Sequence, residues 1–151
     1  MRHMPSEEMI PVFASTKLQL HHRDYMIVSL PVGEKERALE IFKSLDPFSS
    51  ITIDSEEVSL ILGEEDWDAI RDNFAEYLDE GPYSAITFDI VLDLSLVGYL
   101  SVVSAVLADT GVSIYAISTY LRDHILVRSE DSDLAMRVLG ELIQRCRSTI
   151  K

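Results

Sequence analysis

Hydrophobic positions along this chain recur at two spacings, one of about 3.6 residues and one of two, which are typical of helices and strands respectively. In the first half they predict strands over 17–22, 25–30, 50–54 and 58–62 and helices over 34–45 and 65–78. In the second half they predict strands over 85–92, 112–119 and 124–127 and helices over 98–109 and 132–147. Residues 1–15 follow neither spacing and are expected to form a flexible tail.

Each half therefore has the element order β-α-β-β-α, which is a ferredoxin-like unit without its last strand. The strand over 17–22 is left over from the first unit, and we expect it to complete the second one, while 85–92 lies next to the first. The expected fold class is α+β, with two ferredoxin-like (βαββαβ) modules that exchange strands to form one compact body. Module 1 is expected over 16–82 and module 2 over 83–151.

Chemistry in the second half is confined to the start of one helix and to one turn. Gly98 opens an apolar helical stripe that Asp109-Thr110-Gly111 ends, and two strand patterns then flank the polar turn Thr119–Asp123. This order places the Gly98 amide beside the turn. The layout is suited to holding a small zwitterion.

The charge balance limits the choice of partner. The protein has 26 Asp and Glu residues against 13 Lys and Arg, which gives a formal net charge of −13. Nucleic acids and anionic membranes bind clustered Lys and Arg, so neither is expected as a partner. The excess of acid is a weak indication of a cationic ligand.

Length and composition are typical of a globular protein inside the cell. A chain of 151 residues holds one sizeable domain or two small modules. No apolar run approaches the roughly 20 residues that span a bilayer, and the first residues lack the apolar core of a signal peptide. The single cysteine, Cys146, cannot form an internal disulfide and falls on an apolar helical face. We therefore expect a cytoplasmic protein.

Three short segments of the second half form a recognisable set. They are Val97-Gly98-Tyr99-Leu100 at a helix start, Gly111-Val112-Ser113-Ile114 after its end, and Ser118-Thr119-Tyr120-x-x-Asp123 before an apolar strand. This set resembles the ACT domain, a regulatory module that senses amino acids. Its turn is similar to that of the tandem-ACT subgroup, which contains the CASTOR-type cytosolic arginine sensors and small bacterial and fungal ACT proteins. In the first half, residues 48–61 look like the first-module hairpin of that subgroup.

The resemblance implies a ligand site at Gly98, Tyr99, Thr119, Tyr120 and Asp123. Amides at the first helical turn suit a carboxylate, since they lack partners and carry partial positive charge. Asp123 and the Thr119 hydroxyl suit an ammonium or guanidinium group, and the Tyr120 ring suits an alkyl or cationic side chain.

Each of these residues also has a purely structural interpretation. Gly98 serves close helix–strand packing, Asp123 caps turn amides, Thr119 ends a strand, and Tyr120 is a half-buried aromatic. For His124, a strand histidine with satisfied hydrogen bonds is a better interpretation than a ligand role. The pair His21-His22 points to opposite faces of a strand, so it is a poor metal site.

We find no phosphate-binding glycine loop, nucleophile elbow or metal-ligand spacing, so no catalytic residue, cofactor or metal is expected. The leading hypothesis is a non-enzymatic protein that binds a free amino acid, and the excess of acid points to a basic one such as arginine or lysine. The alternative is a ligand-free ACT scaffold that acts through dimerisation or a protein partner. Because ACT sheets often join side by side, a homo-oligomer such as a homodimer is expected under either hypothesis.

Overall fold

A computed structural model describes residues 4–150 of the chain and divides it into two units. One unit consists of residues 22–83, and the other consists of residues 4–21 together with 84–150. The elements in chain order are α1 (Ile10–Ala14), β1 (Lys17–Pro31), α2 (Lys35–Phe42), β2 (Ser50–Ile53), β3 (Glu57–Gly63), α3 (Glu64–Ile70), β4 (Leu78–Asp89), α4 (Tyr99–Ala108), β5 (Tyr115–Ser118), β6 (Asp123–Arg128) and α5 (Ser132–Thr149). Single 3-10 turns lie at Val32–Glu34, Arg71–Asn73 and Ser129–Asp131.

The unit of residues 22–83 has the strand order β2-β3-β1-β4. Strand β3 pairs antiparallel with β1, in register Tyr25↔Gly63 through Pro31↔Glu57, and with β2, in register Ser50↔Ile61 through Ile53↔Val58. Its core combines strand residues with residues of α2, α3 and the segment that follows α3. The buried members are Val28, Leu30, Ala38, Val58, Leu60, Leu62, Trp67 and Phe74.

The unit of residues 4–21 and 84–150 repeats this order as β5-β6-β4-β1, with residues 17–21 of β1 in the last place. Strands β5 and β6 pair antiparallel, in register Tyr115↔Leu126 through Ser118↔Asp123. The core gathers apolar residues from α1, β4, α4, β6 and α5. Its fully buried members include Ile86, Val103, Leu107, Ile125, Val127, Ala135, Leu142 and Cys146. The α+β, ferredoxin-like fold class is therefore confirmed.

Two predicted boundaries in the first half are wrong for identifiable reasons. Arg23-Asp24 was expected to separate two strands, but β1 is continuous because Arg23 forms an ion pair with Asp66 at 3.0 Å. The helix predicted over 65–78 ends at Ile70, and Leu78 begins β4 with 76% of its surface exposed. The buried Trp67 explains this ending, since its indole nitrogen donates to Asp79 at 2.8 Å, within β4.

The tail expected over residues 1–15 is structured in its described part. Residues 10–14 form α1, and Phe13 is 1% exposed in the core of its unit. Arg147 of α5 holds the end of α1, donating from Nε to the Ala14 carbonyl at 2.9 Å. The helical period is hard to see in so short a helix, which explains why the sequence pattern missed it. Residues 1–3 of that tail lie outside the described residues.

Replacing Phe13 by alanine tests this assignment. Because the ring is buried and stacked on Tyr99, Phe13→Ala is expected to lower the free energy of unfolding by about 3–5 kcal/mol. Urea unfolding followed by circular dichroism measures the change. The control is Met4→Ala, where the side chain is 45% exposed and an effect within about 0.5 kcal/mol is expected. A loss below about 1 kcal/mol in Phe13→Ala contradicts a core role for α1.

Candidate functional site

A cavity of about 300 Å³ lies in the unit of residues 4–21 and 84–150. Its walls are the segment between β4 and α4, the first turn of α4, and the turn between β5 and β6. All the residues that the sequence singled out line it, namely Gly98, Tyr99, Thr119, Tyr120 and Asp123. The structure therefore brings the predicted set together, and their role as ligand-binding residues stays a prediction.

Gly98 sets the direction in which the amides of α4 face. It precedes the helix with φ +97°, a left-handed conformation that residues with a Cβ rarely adopt. The first intrahelical bond runs from the Val102 amide to the Gly98 carbonyl at 3.2 Å. Helix geometry leaves the amides of residues 99–101 without a carbonyl four residues back, and no side chain caps this end. These amides form an electropositive wall suited to a carboxylate.

The Tyr99 side chain belongs to the core rather than to the cavity. Its ring is 3% exposed, stacks on Phe13 with centroids 4.3 Å apart, and meets Phe88 edge-on at 5.8 Å. Its hydroxyl lies 2.8 Å from that of Thr16, which donates to the Val12 carbonyl, so Tyr99 is the donor to Thr16. Burial raises the pKa of this phenol. Tyr99 can therefore offer a ligand its backbone amide, while its ring anchors the helix start.

The Thr119 hydroxyl is used within the turn. It donates to the Arg122 carbonyl at 3.0 Å and accepts from the Arg122 amide at 3.3 Å. It also lies 3.4 Å from His124 Nε2. The Thr119 amide adds a bond to the Arg122 carbonyl at 2.9 Å. One O–H and two lone pairs complete the capacity of a hydroxyl, so Thr119 shapes the turn.

Two carboxylates face the cavity without an ion-pair partner in residues 4–150. Asp123 accepts from the Ser118 hydroxyl at 2.7 Å, and Asp93 accepts from the Ser95 hydroxyl and amide at 2.5 and 2.8 Å. These Ser95 bonds lower the pKa of Asp93. The nearby cation, Arg122, is directed to Asp89 with Nε 3.0 Å from Oδ1. The cavity therefore has carboxylates available for a cationic group.

Further lining residues were not singled out from the sequence. They are Leu92, Asp93, Leu94, Leu96, Leu100, Ser101, Ser118, Leu121 and Arg122. Four of the nine, residues 92–94 and 96, lie in the irregular segment after β4, where no periodic pattern marks a side chain as facing inward. A bond from the Leu92 amide to the Leu121 carbonyl, at 2.8 Å, ties that segment to the turn. The exposed Tyr120 ring (77%) and the leucines supply apolar walls.

A second cavity, of about 400 Å³, lies in the unit of residues 22–83 and is a weaker candidate. It is lined by residues 22–24 and 63–65. Its cation, Arg23, is occupied by Asp66 and by the carbonyls of Asp46 and Pro47. The helix that begins there, α3, has only seven residues, so its terminal field is small.

Two kinds of feature are absent from the part of the chain that the structure describes. Among residues 4–150, no group of three or more His, Cys, Asp or Glu side chains is arranged to hold a metal ion. Within the same range, no helix combines the length and the apolar character needed to cross a bilayer.

Comparison with protein families gives one match, and it covers the cavity. Residues 80–141 match the ACT domain. The matched segment contains α4, β5, β6 and the first half of α5, and therefore both Gly98 at the start of α4 and the turn Thr119–Asp123. No curated protein matches the chain.

Solved structures share the fold over most of the chain. A Vibrio cholerae protein of unknown function, described as a possible transport protein, is 25% identical with a TM-score of 0.71, over 91% of this chain and 97% of that chain. An Agrobacterium tumefaciens protein is 23% identical with a TM-score of 0.70, over 85% and 89%. The regulatory subunit of aspartate kinase from Thermus thermophilus is 12% identical with a TM-score of 0.60, over 85% and 97%. At these low identities the last two likenesses show the fold alone.

Substitution at Gly98 tests the backbone geometry of the helix start. Gly98→Ala is expected to lower the free energy of unfolding by about 1–2 kcal/mol, because alanine is strained at φ +97°. Steric crowding does not add to this cost, since the nearest atom to an added Cβ is Met9 Cε at an ordinary contact distance of 3.9 Å. Urea unfolding measures the change. The matched control is Gly140→Ala within α5, where an added Cβ meets nothing within 4 Å and a gain of about 0.5–1 kcal/mol is expected. Equal effects of the two substitutions contradict a strained position at Gly98.

Proposed function

We propose that this protein is a non-enzymatic regulatory protein that binds a free amino acid in the ACT-domain cavity. The observation that carries the proposal is the meeting of two complementary groups around one volume of about 300 Å³. The α4 start offers amides on one side, and Asp93 and Asp123 offer carboxylates. A zwitterion is the simplest ligand that satisfies both.

In the proposed complex the ligand carboxylate accepts hydrogen bonds from the amides of residues 99–101. A glycine at position 98 leaves that approach open, since no side chain projects from it. The ligand ammonium is held by Asp123, whose Oδ1 is already oriented by Ser118. Hydrogen bonds to charged groups are the stronger kind, so these contacts supply most of the orientation.

The ligand class we favour is a basic amino acid. With Arg122 paired to Asp89, the cavity keeps Asp93 and Asp123, and a second cationic group on the ligand balances the second carboxylate. The alkyl stem of lysine or arginine suits the leucine walls, and its charged end suits the exposed Tyr120 ring. The similarity of the Ser118–Asp123 turn to that of the CASTOR-type arginine sensors supports the same choice.

We propose, as part of the same function, that the chain consists of two modules. We take residues 83–151 as the ACT module that binds the ligand, completed by the 17–22 strand, and 16–82 as an ACT-like module. Their shared strand order supports a tandem arrangement. Regulation requires that the ligand bind two conformations with different affinity, and a homo-oligomer or a protein partner then reads the change.

A second candidate function is that of an interaction scaffold with no ligand. The observation in its favour is the set of exposed apolar side chains beside the cavity, with Val97 at 86%, Tyr120 at 77% and Leu94 at 70%. Exposed apolar residues grouped in this way mark binding surfaces as readily as ligand sites. In this case dimerisation or a protein partner covers them.

A thermal-shift screen against the common free amino acids separates the two functions. A ligand at 100 times its dissociation constant adds about 2.7 kcal/mol of stability, so a basic amino acid is expected to raise the melting temperature by several degrees. Asp123→Asn is expected to abolish the shift. Asp133→Asn, an exposed carboxylate outside the cavity, is the control and is expected to retain it.

The outcomes of the screen are distinct. A shift with apolar amino acids alone contradicts a basic ligand, but it still supports an amino-acid site in this cavity. No shift with any amino acid, together with concentration-dependent self-association in sedimentation velocity, favours the scaffold.

A further inference from the structure

A series of hydrogen bonds runs from His21 in β1 through Thr87 in β4 and His124 in β6 to Thr119 in the cavity turn. His21 Nε2 lies 2.7 Å from Thr87 Oγ1, and Thr87 Oγ1 lies 2.9 Å from His124 Nδ1. His124 Nε2 lies 3.4 Å from Thr119 Oγ1, the longest link in the series. Thr87 and His124 are 5% and 9% exposed, so the central bond between them is shielded from water, while the two outer bonds are partly buried.

Which atom donates in each hydrogen bond follows from Thr119, the last residue of the series. The Thr119 hydroxyl donates its one hydrogen to the Arg122 carbonyl at 3.0 Å. Toward His124 its oxygen can therefore only accept. His124 must therefore carry a proton on Nε2. In the neutral ring Nδ1 is then bare and accepts from the Thr87 hydroxyl.

The protonated nitrogen of His21 follows in the same way. Since Thr87 gives its O–H to His124, its oxygen must accept from His21, which carries its proton on Nε2. Every link then has one donor and one acceptor, and all donors point toward the turn. A His124 with its proton on Nδ1 breaks this order at two links.

We propose that His124 is a positioning residue, whose Nε2–H tautomer is selected by His21 and Thr87 and holds the Thr119–Arg122 turn in the shape that forms the cavity wall. The turn's shape does not depend on any ligand. The expected effect on amino-acid binding rests on the proposed function, and the effect on the turn does not.

The charges around His124 are consistent with a neutral ring. The groups that act on it are His21 from β1, Asp123 beside it on β6, and Arg122 from the turn, which is paired with Asp89 of β4. Burial, first, and then His21 lower the pKa of His124, and Asp123 opposes them. The ring therefore stays neutral at pH 7, as the donor order requires.

Two matched variants separate the roles of the two ring nitrogens. The side-chain amide of glutamine reaches to about the place of Nε2, and that of asparagine only to about the place of Nδ1. His124→Gln is therefore expected to keep a donor for Thr119, and His124→Asn to lose it. Hydrogen exchange of the Thr119 amide, which bonds the Arg122 carbonyl at 2.9 Å, reports the order of the turn.

The experiment compares exchange at Thr119 in both variants and in the unsubstituted protein at pH 7. We expect about fivefold faster exchange in His124→Asn and less than a twofold change in His124→Gln, since a lost hydrogen bond costs about 1 kcal/mol. Equal exchange in the two variants, fast or slow, overturns the proposal. Nitrogen NMR of the unsubstituted protein gives a test that needs no variant, because a His124 ring protonated on Nδ1 also overturns it.

Ligand binding is then measured with the basic amino acid identified in the screen. The dissociation constant is expected to rise about fivefold in His124→Asn and to stay within twofold in His124→Gln. If no amino acid binds the unsubstituted protein, the proposed function fails while the exchange and tautomer results still decide the role of His124. If the dissociation constant is unchanged in both variants although exchange is faster in His124→Asn, the order of the turn does not affect ligand affinity. That part of the proposal is then overturned.

Discussion

The burial of Tyr99 is the interaction on which the candidate site depends. The ring contacts Phe13 and Phe88, and its hydroxyl donates to Thr16, so three side chains of one unit fix its position. Tyr99 is also the first residue of α4, directly after the left-handed Gly98. A core contact and a backbone constraint therefore act on adjacent residues. Together they determine where the free amides of the helix start lie, and this is why a core aromatic matters for the geometry of the candidate site.

The pairing of charges determines what the cavity can accept. Arg122 is the one cationic side chain among the residues that line it, and the ion pair with Asp89 takes up its charge. An ion pair at this level of exposure is worth at most about 1 kcal/mol for stability. Its larger consequence is for the charge of the cavity, since Asp93 and Asp123 are left without an ion-pair partner in residues 4–150. The free amides at the start of α4, which also line the cavity, supply partial positive charge.

The fold was predictable from the sequence where side chains repeat with a clear period. Helix α5 and the buried strand His124–Val127 have such patterns, and the polar turn before that strand indicated the candidate site. Prediction failed where a distant contact overrode a local signal. Arg23 reads as a turn residue but lies in a strand because Asp66 neutralises it, and Leu78 reads as helical but belongs to β4, next to Asp79, which bonds Trp67.

The site was predictable only in part, for a related reason. Gly98 and Asp123 stand out because they belong to the short segments by which the second half resembles the ACT domain. Asp93 and the leucines of the segment after β4 carry no such signal, and they face the cavity because the Leu92 amide bonds the Leu121 carbonyl. Thr119 was identified as a contact, yet its hydroxyl is spent within the turn. Its bonding capacity becomes apparent only when its neighbours are known.

The most direct test of the central claim is an NMR titration of the nitrogen-15-labelled protein with lysine or arginine, in which the backbone amide signals are followed. The account predicts that the amides of Tyr99, Leu100 and Ser101 shift together, and with the same dissociation constant as the signals of Ser118 to Asp123. Saturable shifts elsewhere, with these amides unchanged, contradict the account, because the helix start then plays no part in binding.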